Sequence, residues 1–448
     1  MSNYLFYFLS KLDTILWDYI AISVILIVGL FLTIYSRFFQ FKALFRLKTY
    51  INDLYACAEK NKQGVHPIKL YFASVGGMVG LGNIVTVVST ITIGGPGSLV
   101  WLWIASFLGM LVKYSEVYLG IKYRVNNNEE GFDGGPMYYL RFAFKNKLLP
   151  ILVCILLCIY GAEVSQFLII TDTIVNTFSL DHHFFYYNEF KINYGRFIVI
   201  ILLLFFIFIT AVNGVKRFAN MCSAMMPIFM IFYVFLGIWI IFDHRTDLPY
   251  IFSQIFTSFY NHDYQTKDAV SGGVFLAAHY GISRAVYSGD IGIGYDSIMQ
   301  SETQAQYPER QARMSIFALL SDSLICSISI LVLLVTGVWK MDGLQPSEYI
   351  IRAFKLYISD AEYFMAVLFV FAGFTTITGY LVVGQKCAQY LNVRYGKKIY
   401  MLYSMLAFVF FSFFSQEQVI LVMSVSGGLL MVINIFGVFE LRKQIKFS

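Results

Sequence analysis

Charged side chains are scarce in this chain of 448 residues. Asp, Glu, Lys and Arg together make up 13% of it, whereas 58% of the residues are hydrophobic and the mean hydropathy is +0.66. A typical soluble globular domain has about 25% charged residues. The composition therefore excludes a soluble globule and predicts a polytopic membrane protein, with the lipid bilayer as its first partner.

The sequence also lacks the patterns of several function classes. The six histidines include no H-E-x-x-H arrangement and no nucleophile with a nearby base, which argues against an intramembrane enzyme. The six cysteines show no metal-ligand spacing, so we expect buried helix residues and no cofactor. These cysteines are Cys57, Cys154, Cys158, Cys222, Cys326 and Cys387. The N-terminus has neither a basic region nor a small-residue cleavage site, so we expect no removable signal peptide.

Apolar segments that can cover about 20 residues, the length that crosses a bilayer, recur eleven times along the chain. They lie near residues 15–36, 68–92, 97–120, 148–178, 195–213, 218–242, 268–300, 314–338, 361–385, 399–415 and 417–440, the last two being separated by a turn at Ser415. We therefore expect an all-α protein with about 11 transmembrane helices.

The basic residues predict the orientation of these helices. If the N-terminus lies outside, twenty-three of the 33 Lys and Arg residues fall in cytoplasmic loops and eight outside. Cytoplasmic loops of membrane proteins carry such an excess of Lys and Arg. The pattern predicts an external N-terminus and a cytoplasmic C-terminus, most simply in a bacterial inner membrane. It also accounts for the net charge of +6 without a nucleic-acid partner.

Glycine is concentrated at two matching places. Gly77 to Gly82 and Gly289 to Gly294 both read G-x-x-G-x-G, and each lies in the first of five spans once the N-terminal span is set aside. Many transporters consist of inverted repeats with glycine-interrupted helices in corresponding positions. A dinucleotide site is excluded because no βαβ unit surrounds either motif. The predicted organisation is an N-terminal helix (1–36), a cytoplasmic basic linker (37–67), two five-helix repeats (68–242 and 268–440) and a cytoplasmic tail (441–448).

Helix breaks have a definite chemistry. Half-helix N-termini present free N–H groups that suit a carboxylate, whereas freed carbonyl groups suit a small cation. Asn83, directly after the first motif, adds a side-chain carbonyl for a cation and an amide donor for an anion. The alternative is that Asn83 only caps the second half-helix.

Charged residues in an apolar span usually face a cavity or a partner. Asp290 lies within the second glycine motif and is the preferred charged site residue, although an ion pair with Arg284 is an equal alternative. Asp296 and Glu302 lie closer to the cytoplasmic end and are interpreted as gate or loop charges.

Other polar residues fall near the centres of predicted spans. Gln166, with Glu163 nearby, is placed to hydrogen-bond a substrate, or else to join two helices. Asp322, Thr375 and Thr376 offer the hard oxygen ligands that sodium accepts, although threonines also serve ordinary helix packing. A local ion pair near the cytoplasmic face is predicted for two residues spaced i, i+3, Lys113 and Glu116.

Several blocks of sequence carry a family resemblance. They are GLGNI at Gly80 to Ile84, GGPG at Gly94 to Gly97, WLW at Trp101 to Trp103, GGPMYYL at Gly134 to Leu140, and NGVKR at Asn213 to Arg217. Together they resemble the alanine or glycine:cation symporter family, also called the sodium:alanine symporters. The resemblance implies a 5+5 inverted-repeat fold of the amino acid–polyamine–organocation type, with the first and sixth core helices unwound at the substrate. It also implies that Asn83 takes the place of the family's site asparagine, and Gln166 that of a glutamine in the third core helix.

The second motif departs from the family pattern, which reads close to RGLFSNEAGxGSAP. Here Asn-Glu is replaced by Gly289-Asp290, and Ser-Ala-Pro by Tyr295-Asp296-Ser297. Smaller departures are Tyr380 for a tryptophan, Gln385 for a glutamate, and Ile433-Asn434 for Pro-Asn. By resemblance the fold is kept, whereas the substrate need not be alanine, and Asp290 could favour another ligand or a proton.

These observations lead to one functional hypothesis, a secondary active transporter that carries a small amino acid such as alanine or glycine with sodium. The expected substrate-binding residues are Gly80, Gly82, Asn83, Gln166, Ser288, Asp290 and Tyr380. The expected cation-binding residues are Gly76, Val79, Asn83, Thr375, Thr376 and Asp322. Proton coupling, an altered substrate and a transporter-like amino acid sensor remain alternatives, whereas scattered intramembrane charges argue against a channel.

Overall fold

The structure is a computed structural model that describes residues 2–58, 63–127, 131–180, 184–187, 190–212, 214–260, 273–412 and 416–448. Some of the basic, histidine and motif residues counted above lie outside these ranges. They are Lys60, Lys62, His182, His183, Asn213, His262, Lys267, Ser415 and the predicted start of the seventh span at 268–272; the side chains of Cys57 and Lys191 are also not described.

The described chain is almost entirely helical. Its first part holds α1 Ser2–Thr14, α2 Ile22–Tyr35, α3 Phe39–Leu44, α4 Leu47–Ala58, α5 Pro67–Met78, α6 Val87–Thr92, α7 Ser98–Lys122, α8 Pro136–Phe144, α9 Leu148–Tyr160 and α10 Val164–Thr177. Its second part holds α11 Tyr194–Val212, α12 Gly214–Asp243, α13 Leu248–Tyr260, α14 Gly273–Gly289, α15 Tyr295–Met299, α16 Pro308–Thr336, α17 Pro346–Lys355, α18 Ala361–Leu391, α19 Gly396–Phe411 and α20 Gln416–Glu440.

Short elements connect these helices. A π-helical segment, Ile15–Ala21, joins α1 to α2, and 3-10 turns cover Leu81–Asn83, Gln300–Glu302, Val338–Lys340 and Arg442–Gln444. Two antiparallel hairpins pair β1 Val125–Asn126 with β2 Phe132–Asp133, and β3 Phe184–Tyr187 with β4 Phe190–Asn193. These hairpins and the short helices between the spans were not predicted, because none of them is long or apolar enough to span a membrane.

Within the described residues, eight helices are long and apolar enough to cross a membrane, and the bent pair formed by α5 and Leu81–Thr92 raises the number to nine. The eight are Tyr4–Tyr35, α7, Leu148–Thr177, α11, α12, α16, α18 and Ile420–Glu440. Two of the eleven predicted spans are shorter in the structure. The break after Gly289 limits α14 to 17 residues, and α19 has 16.

Burial separates a central group of helices from a peripheral one. In their most apolar windows, α18 is 78% buried and α16 is 72% buried, whereas α11 and α12 are only 39% and 28% buried. The exposed side chains of α11 and α12 are largely apolar, as expected for helices that face lipid. The core consists of α7 against α14 and α16, and of α18 against α5 and α10. Both glycine motifs lie inside this core.

Candidate functional site

The first glycine motif interrupts a helix. α5 ends at Met78, Gly80 is extended (φ −112°, ψ −162°), and the chain resumes at a bend of 58° between the two helical segments. A break leaves backbone N–H groups without helical partners. Two predicted site residues accept from them: Asn83 Oδ1 accepts from Gly80 N–H at 3.2 Å, and Gln166 Oε1 accepts from Leu81 N–H at 3.0 Å.

The second glycine motif also interrupts a helix, between Gly289 at the end of α14 and Tyr295 at the start of α15. Gly292 and Gly294 have φ of +81° and +103°, a conformation that favours glycine because a Cβ atom would be strained there. The freed backbone is held from outside, since Asn434 on α20 donates to the Ile293 carbonyl at 2.9 Å.

One carboxylate joins the two breaks. Asp322 on α16 accepts from Asn83 Nδ2 at 2.5 Å through Oδ1, and from the Ser288 hydroxyl at 3.0 Å through Oδ2. Asn83 belongs to the first break, and Ser288 lies one residue before the end of the helix that leads into the second. All three side chains are buried. The structure therefore brings these predicted site residues into one cluster.

Asp290 is buried in the second break, and its ion-pair partner is Lys113 at 3.8 Å. Tyr380 donates to Asp290 Oδ1 at 2.5 Å, so two predicted substrate-side residues bind each other. Among the described residues no ion pair joins Asp290 to Arg284, and that alternative is wrong. Asp296 is not a loop charge either: it is buried, 3.2 Å from Lys113, and accepts a short hydrogen bond from Ser74.

The predicted local ion pair between Lys113 and Glu116 is wrong. Lys113 Nζ donates to the Gly289 carbonyl at 2.6 Å and to the Asp290 carbonyl at 3.2 Å, and Glu116 accepts from Gly292 N–H at 3.1 Å. Because α7 packs along α14 and α15, the free backbone groups of the break lie within reach of both side chains. These backbone groups and the two aspartates replace the pairing predicted along α7.

The predicted cation-side residues divide into two groups. The Thr376 hydroxyl lies 3.2 Å from the Gly76 carbonyl and 3.1 Å from the Ala372 carbonyl, so α18 meets α5 just before the first break. Val79 follows with a non-helical ψ of 82°. The Thr375 hydroxyl instead donates to carbonyls of its own helix at 2.9 Å. Asn83 and Asp322 form the second group.

A third interruption was not predicted. α9 ends at Tyr160 and α10 begins at Val164, and Glu163 between them has φ of +45° although it is not glycine. The signal available in the sequence was Gly161, inside a run apolar enough to be interpreted as one continuous span. Glu163 and Arg284 are both buried and line the same central cavity, and neither was assigned to the site from the sequence.

Two cavities meet at the breaks. The central cavity holds about 20 Å³ and is lined by Gly82 and Asn83 of the first break, by Ser288 near the end of α14, and by Tyr380 on α18. An outer cavity of about 530 Å³ shares Gln166, Arg284 and Tyr287 with it. The N-terminal helix lines the outer cavity through Asp13, Thr14 and Trp17, and the Trp17 and Tyr287 rings are 6.4 Å apart. The central cavity is about the size of one water molecule, so a larger ligand requires side-chain movement there.

Polar contacts hold the C-terminal end of the second broken helix, around Glu302. Lys386 on α18 lies 2.5 Å from Glu302 and 2.6 Å from Asp133, and Val65 N–H donates to the Glu302 carbonyl at 2.8 Å. Arg124 donates to the carbonyls of Ser301, Thr303 and Ala305. Burial lowers the pKa of Arg124 to about 10, so its guanidinium stays charged at neutral pH.

Relatives of this chain are transport proteins. An uncharacterized transporter of Haemophilus influenzae is 28% identical over 98% of this chain and 94% of its own length. The probable sodium/glutamine symporter GlnT of Bacillus subtilis is 24% identical over 99% of this chain and 90% of its own length. The sodium/alanine symporter AgcS of Methanococcus maripaludis is 24% identical over 88% of this chain and 86% of its own length.

Two solved structures share the fold. MhsT in complex with L-phenylalanine matches with a TM-score of 0.54 at 15% identity, over 82% of this chain and 88% of that chain. Mhp1, a nucleobase-cation-symport-1 family transporter, matches with a TM-score of 0.52 at 12% identity, over 81% and 75%. Residues 2–447 match the model of the sodium:alanine symporter family. The chain belongs to that family, and it is therefore a multi-pass membrane transport protein rather than an enzyme.

Proposed function

We propose that this protein carries a small neutral amino acid, such as alanine or glycine, together with sodium by alternating access. The observation that carries the proposal is the Asp322 carboxylate, which binds Asn83 of the first break and Ser288 next to the second. A charge buried at this point couples the two broken helices, so any cation or substrate that binds one of them also acts on the other.

On the cation side, sodium would be held by oxygen atoms of Gly76, Val79, Thr375 and Thr376, with Asn83 and Asp322 nearer the substrate. The contact between the Thr376 hydroxyl and the Gly76 carbonyl supports this assignment, because it brings a side-chain oxygen to a carbonyl just before the break. Small hard cations prefer such carbonyl, hydroxyl and carboxylate ligands.

On the substrate side, the backbone at Gly80 and Gly82 would contact the amino acid. Gln166 and Asn83 already accept hydrogen bonds from N–H groups of this break, which supports a role in keeping it open. Ser288, Asp290 and Tyr380 would complete the site from the second break. The hydrogen bond between Tyr380 and Asp290 must loosen or move if Asp290 is to contact substrate.

We further propose an arrangement of eleven spans, with the N-terminal helix (1–36) followed by a linker (37–67), two inverted repeats (68–242 and 268–440) and a tail (441–448). The N-terminus would lie outside a bacterial inner membrane and the C-terminus in the cytoplasm. In that orientation the outer cavity of about 530 Å³ faces outward, and the contacts of Lys386 with Glu302 and Asp133 close the cytoplasmic side.

Proton coupling is the second candidate, and the buried charges around the second break favour it. Lys113 lies near the carboxylates of Asp290 and Asp296, and Glu116 binds the same break, so three acids face one base. Buried charges that are not balanced are costly, and a bound proton would remove one of them.

Uptake in proteoliposomes tests both candidates. Labelled alanine, glycine, serine and glutamine would be offered with a sodium gradient, with a pH gradient, and with neither. We expect accumulation of at least one small amino acid that depends on the sodium gradient, whereas accumulation driven only by the pH gradient would favour proton coupling. Uptake that is indifferent to both gradients would contradict symport. Binding without uptake or counterflow would indicate a sensor.

A further inference from the structure

We propose that Glu163 and Arg284 bind the two charges of a free amino acid in the central cavity, Arg284 its carboxylate and Glu163 its ammonium group. This inference rests on the proposed function and specifies the substrate class: α-amino acids with both charged groups free and an uncharged side chain. Neither residue was assigned to the site from the sequence.

The surroundings of Arg284 suit an anionic ligand. Its side chain is 7% exposed and lines both the central and the outer cavity. Its Nε and Nη2 atoms are buried and have no hydrogen-bond partner among the described residues. Its guanidinium lies 5.3 Å from the centre of the Tyr287 ring and against Gly82, where a Cβ atom would come within 2.7 Å of Nη2. A planar guanidinium in such a place can bind a carboxylate through two hydrogen bonds.

Glu163 is the complementary group. It is 3% exposed, lines the central cavity, and its Oε2 atom has no hydrogen-bond partner among the described residues. It lies in the third helix break with φ of +45°, a strained conformation for a residue with a Cβ atom. Such strain persists only where the surrounding structure enforces it, and it tends to occur at ligand sites. The break at Gly161 thus directs a carboxylate into the cavity.

Arg284 and Glu163 do not pair with each other directly. They line one cavity, yet no ion pair within 4.0 Å joins them among the described residues. A buried charge without a partner is strongly unfavourable. A zwitterion placed between them supplies both partners at once. The other residues that line the central cavity are uncharged, and the carboxylates of Asp322 and Asp290 lie behind them, bound to Asn83, Ser288 and Tyr380.

This arrangement predicts discrimination between compounds that differ by one charge. An amino acid amide lacks the carboxylate, and a 2-hydroxy acid lacks the ammonium group. Because a hydrogen bond to a charged group contributes about 1.5 to 3 kcal/mol, we expect each compound to bind about 10- to 150-fold more weakly than the parent amino acid.

The test measures binding by competition, using neutral L-amino acids together with the amide and the 2-hydroxy acid of each. In Arg284→Gln, we expect the preference for the amino acid over its amide to fall to about 1, while the preference over the 2-hydroxy acid remains. In Glu163→Gln, we expect the preference over the 2-hydroxy acid to fall to about 1, while the preference over the amide remains. If either residue were merely structural, its replacement would lower the affinity for all three compounds by the same factor. Arg196→Gln and Glu362→Gln remove charges from ion pairs with Asp172 and Lys355 outside both cavities, and should leave both preferences unchanged.

The outcomes separate this inference from the proposed function. If no amino acid binds or is transported by the wild-type protein, both fail. If an amino acid binds but both preferences survive in both variants, only the assignment of Glu163 and Arg284 fails. Should Arg284→Gln not fold, Arg284→Lys keeps the charge but loses the bidentate geometry and should reduce the preference over the amide. A wild-type protein that binds the amide or the hydroxy acid as tightly as the amino acid would also overturn the assignment.

Discussion

At the scale of single residues, the first break depends on positions that have no side chain. A Cβ atom at Gly77 would collide with the Tyr295 ring, and one at Gly80 would lie 2.6 Å from Thr376 Oγ1. Real Cβ atoms do not approach other heavy atoms this closely, so a methyl group forces the facing element to move. The glycines of this motif therefore serve close packing between α18, α15 and the break.

If sodium binds at the first break as proposed, Gly80→Ala should weaken that binding. The new methyl group pushes the Thr376 hydroxyl away from the Gly76 carbonyl, and overpacking of this kind costs about 1 to 3 kcal/mol. We expect a lower unfolding temperature and loss of the stabilisation by sodium relative to potassium in a thermal-shift measurement.

Two controls accompany this variant. Gly337→Ala introduces backbone strain because Gly337 has φ of +69°, but its new Cβ atom would have no neighbour within 4 Å. It should therefore lower the unfolding temperature and keep the sodium response. Thr376→Ala removes the colliding group, and adding Gly80→Ala to it should cost less than Gly80→Ala does alone. A Gly80→Ala protein with an unchanged sodium response would contradict the placement of the cation.

At the scale of elements, α7 supports the second break from outside. Lys113 binds two carbonyl groups and two carboxylates of that break, and Glu116 binds one of its N–H groups. The same device recurs at the first break, where Gln166 from α10 binds Leu81 N–H. Neighbouring helices thus replace the internal hydrogen bonds that a broken helix gives up, as the bilayer interior requires.

Lys113→Met should strongly destabilise the fold around the second break. It leaves Asp290 and Asp296 buried without their cation, and breaking a buried pair in this way costs about 3 to 5 kcal/mol. We expect a large drop in the unfolding temperature of the purified protein at neutral pH, with partial recovery at acid pH as the carboxylates take up protons.

The matched control is Lys355→Met. Lys355 is paired with Glu362 on the surface, with side-chain exposures of 52% and 32%, and such pairs contribute about 0 to 1 kcal/mol. Equal losses of stability in the two variants would show that Lys113 is not a specific support of the break.

At the scale of the whole molecule, the two ends of the central site differ. On one side lies the outer cavity of about 530 Å³, lined in part by the N-terminal helix. On the other, Lys386, Glu302 and Asp133 join α18 to the end of the second broken helix and to the β1–β2 hairpin. In an alternating-access transporter this corresponds to one closed gate and one accessible vestibule.

Glu302→Gln should shift the molecule towards the state that is open at the Lys386 end. Removing one charged partner costs about 1.5 kcal/mol or more, enough for about a tenfold change in the ratio of the two states. We expect faster thiol labelling at an introduced Ser301→Cys and slower labelling at Ser424→Cys in the outer cavity, measured in oriented vesicles.

Glu362→Gln removes a surface charge of the same kind and should leave both labelling rates unchanged. Labelling at both cysteines from the same face of the membrane would contradict the assignment of the gate. Vesicles of known orientation also test whether Ser301 lies on the cytoplasmic side.

Much of this molecule was predictable from local sequence. Apolar runs of about 20 residues mark the spans because an α-helix of that length satisfies its own backbone hydrogen bonds within the bilayer. The two glycine motifs mark helix breaks because glycine readily adopts non-helical backbone conformations. Asn83 and Gln166 were predicted from the chemistry of such breaks and from a family resemblance. Both lie at the first break in the structure.

What the sequence alone determined is therefore the class of protein, the approximate spans and the positions of two breaks, since these follow from hydrophobicity and backbone freedom along the chain. The pairing of buried charges was decided by the tertiary structure. Lys113 binds residues more than 170 positions away, and Asp322 joins the two breaks. Helix packing also brings Glu163 and Arg284 to the lining of one cavity. Buried charges take the partners that helix packing brings within reach, and separation along the chain does not reveal that packing.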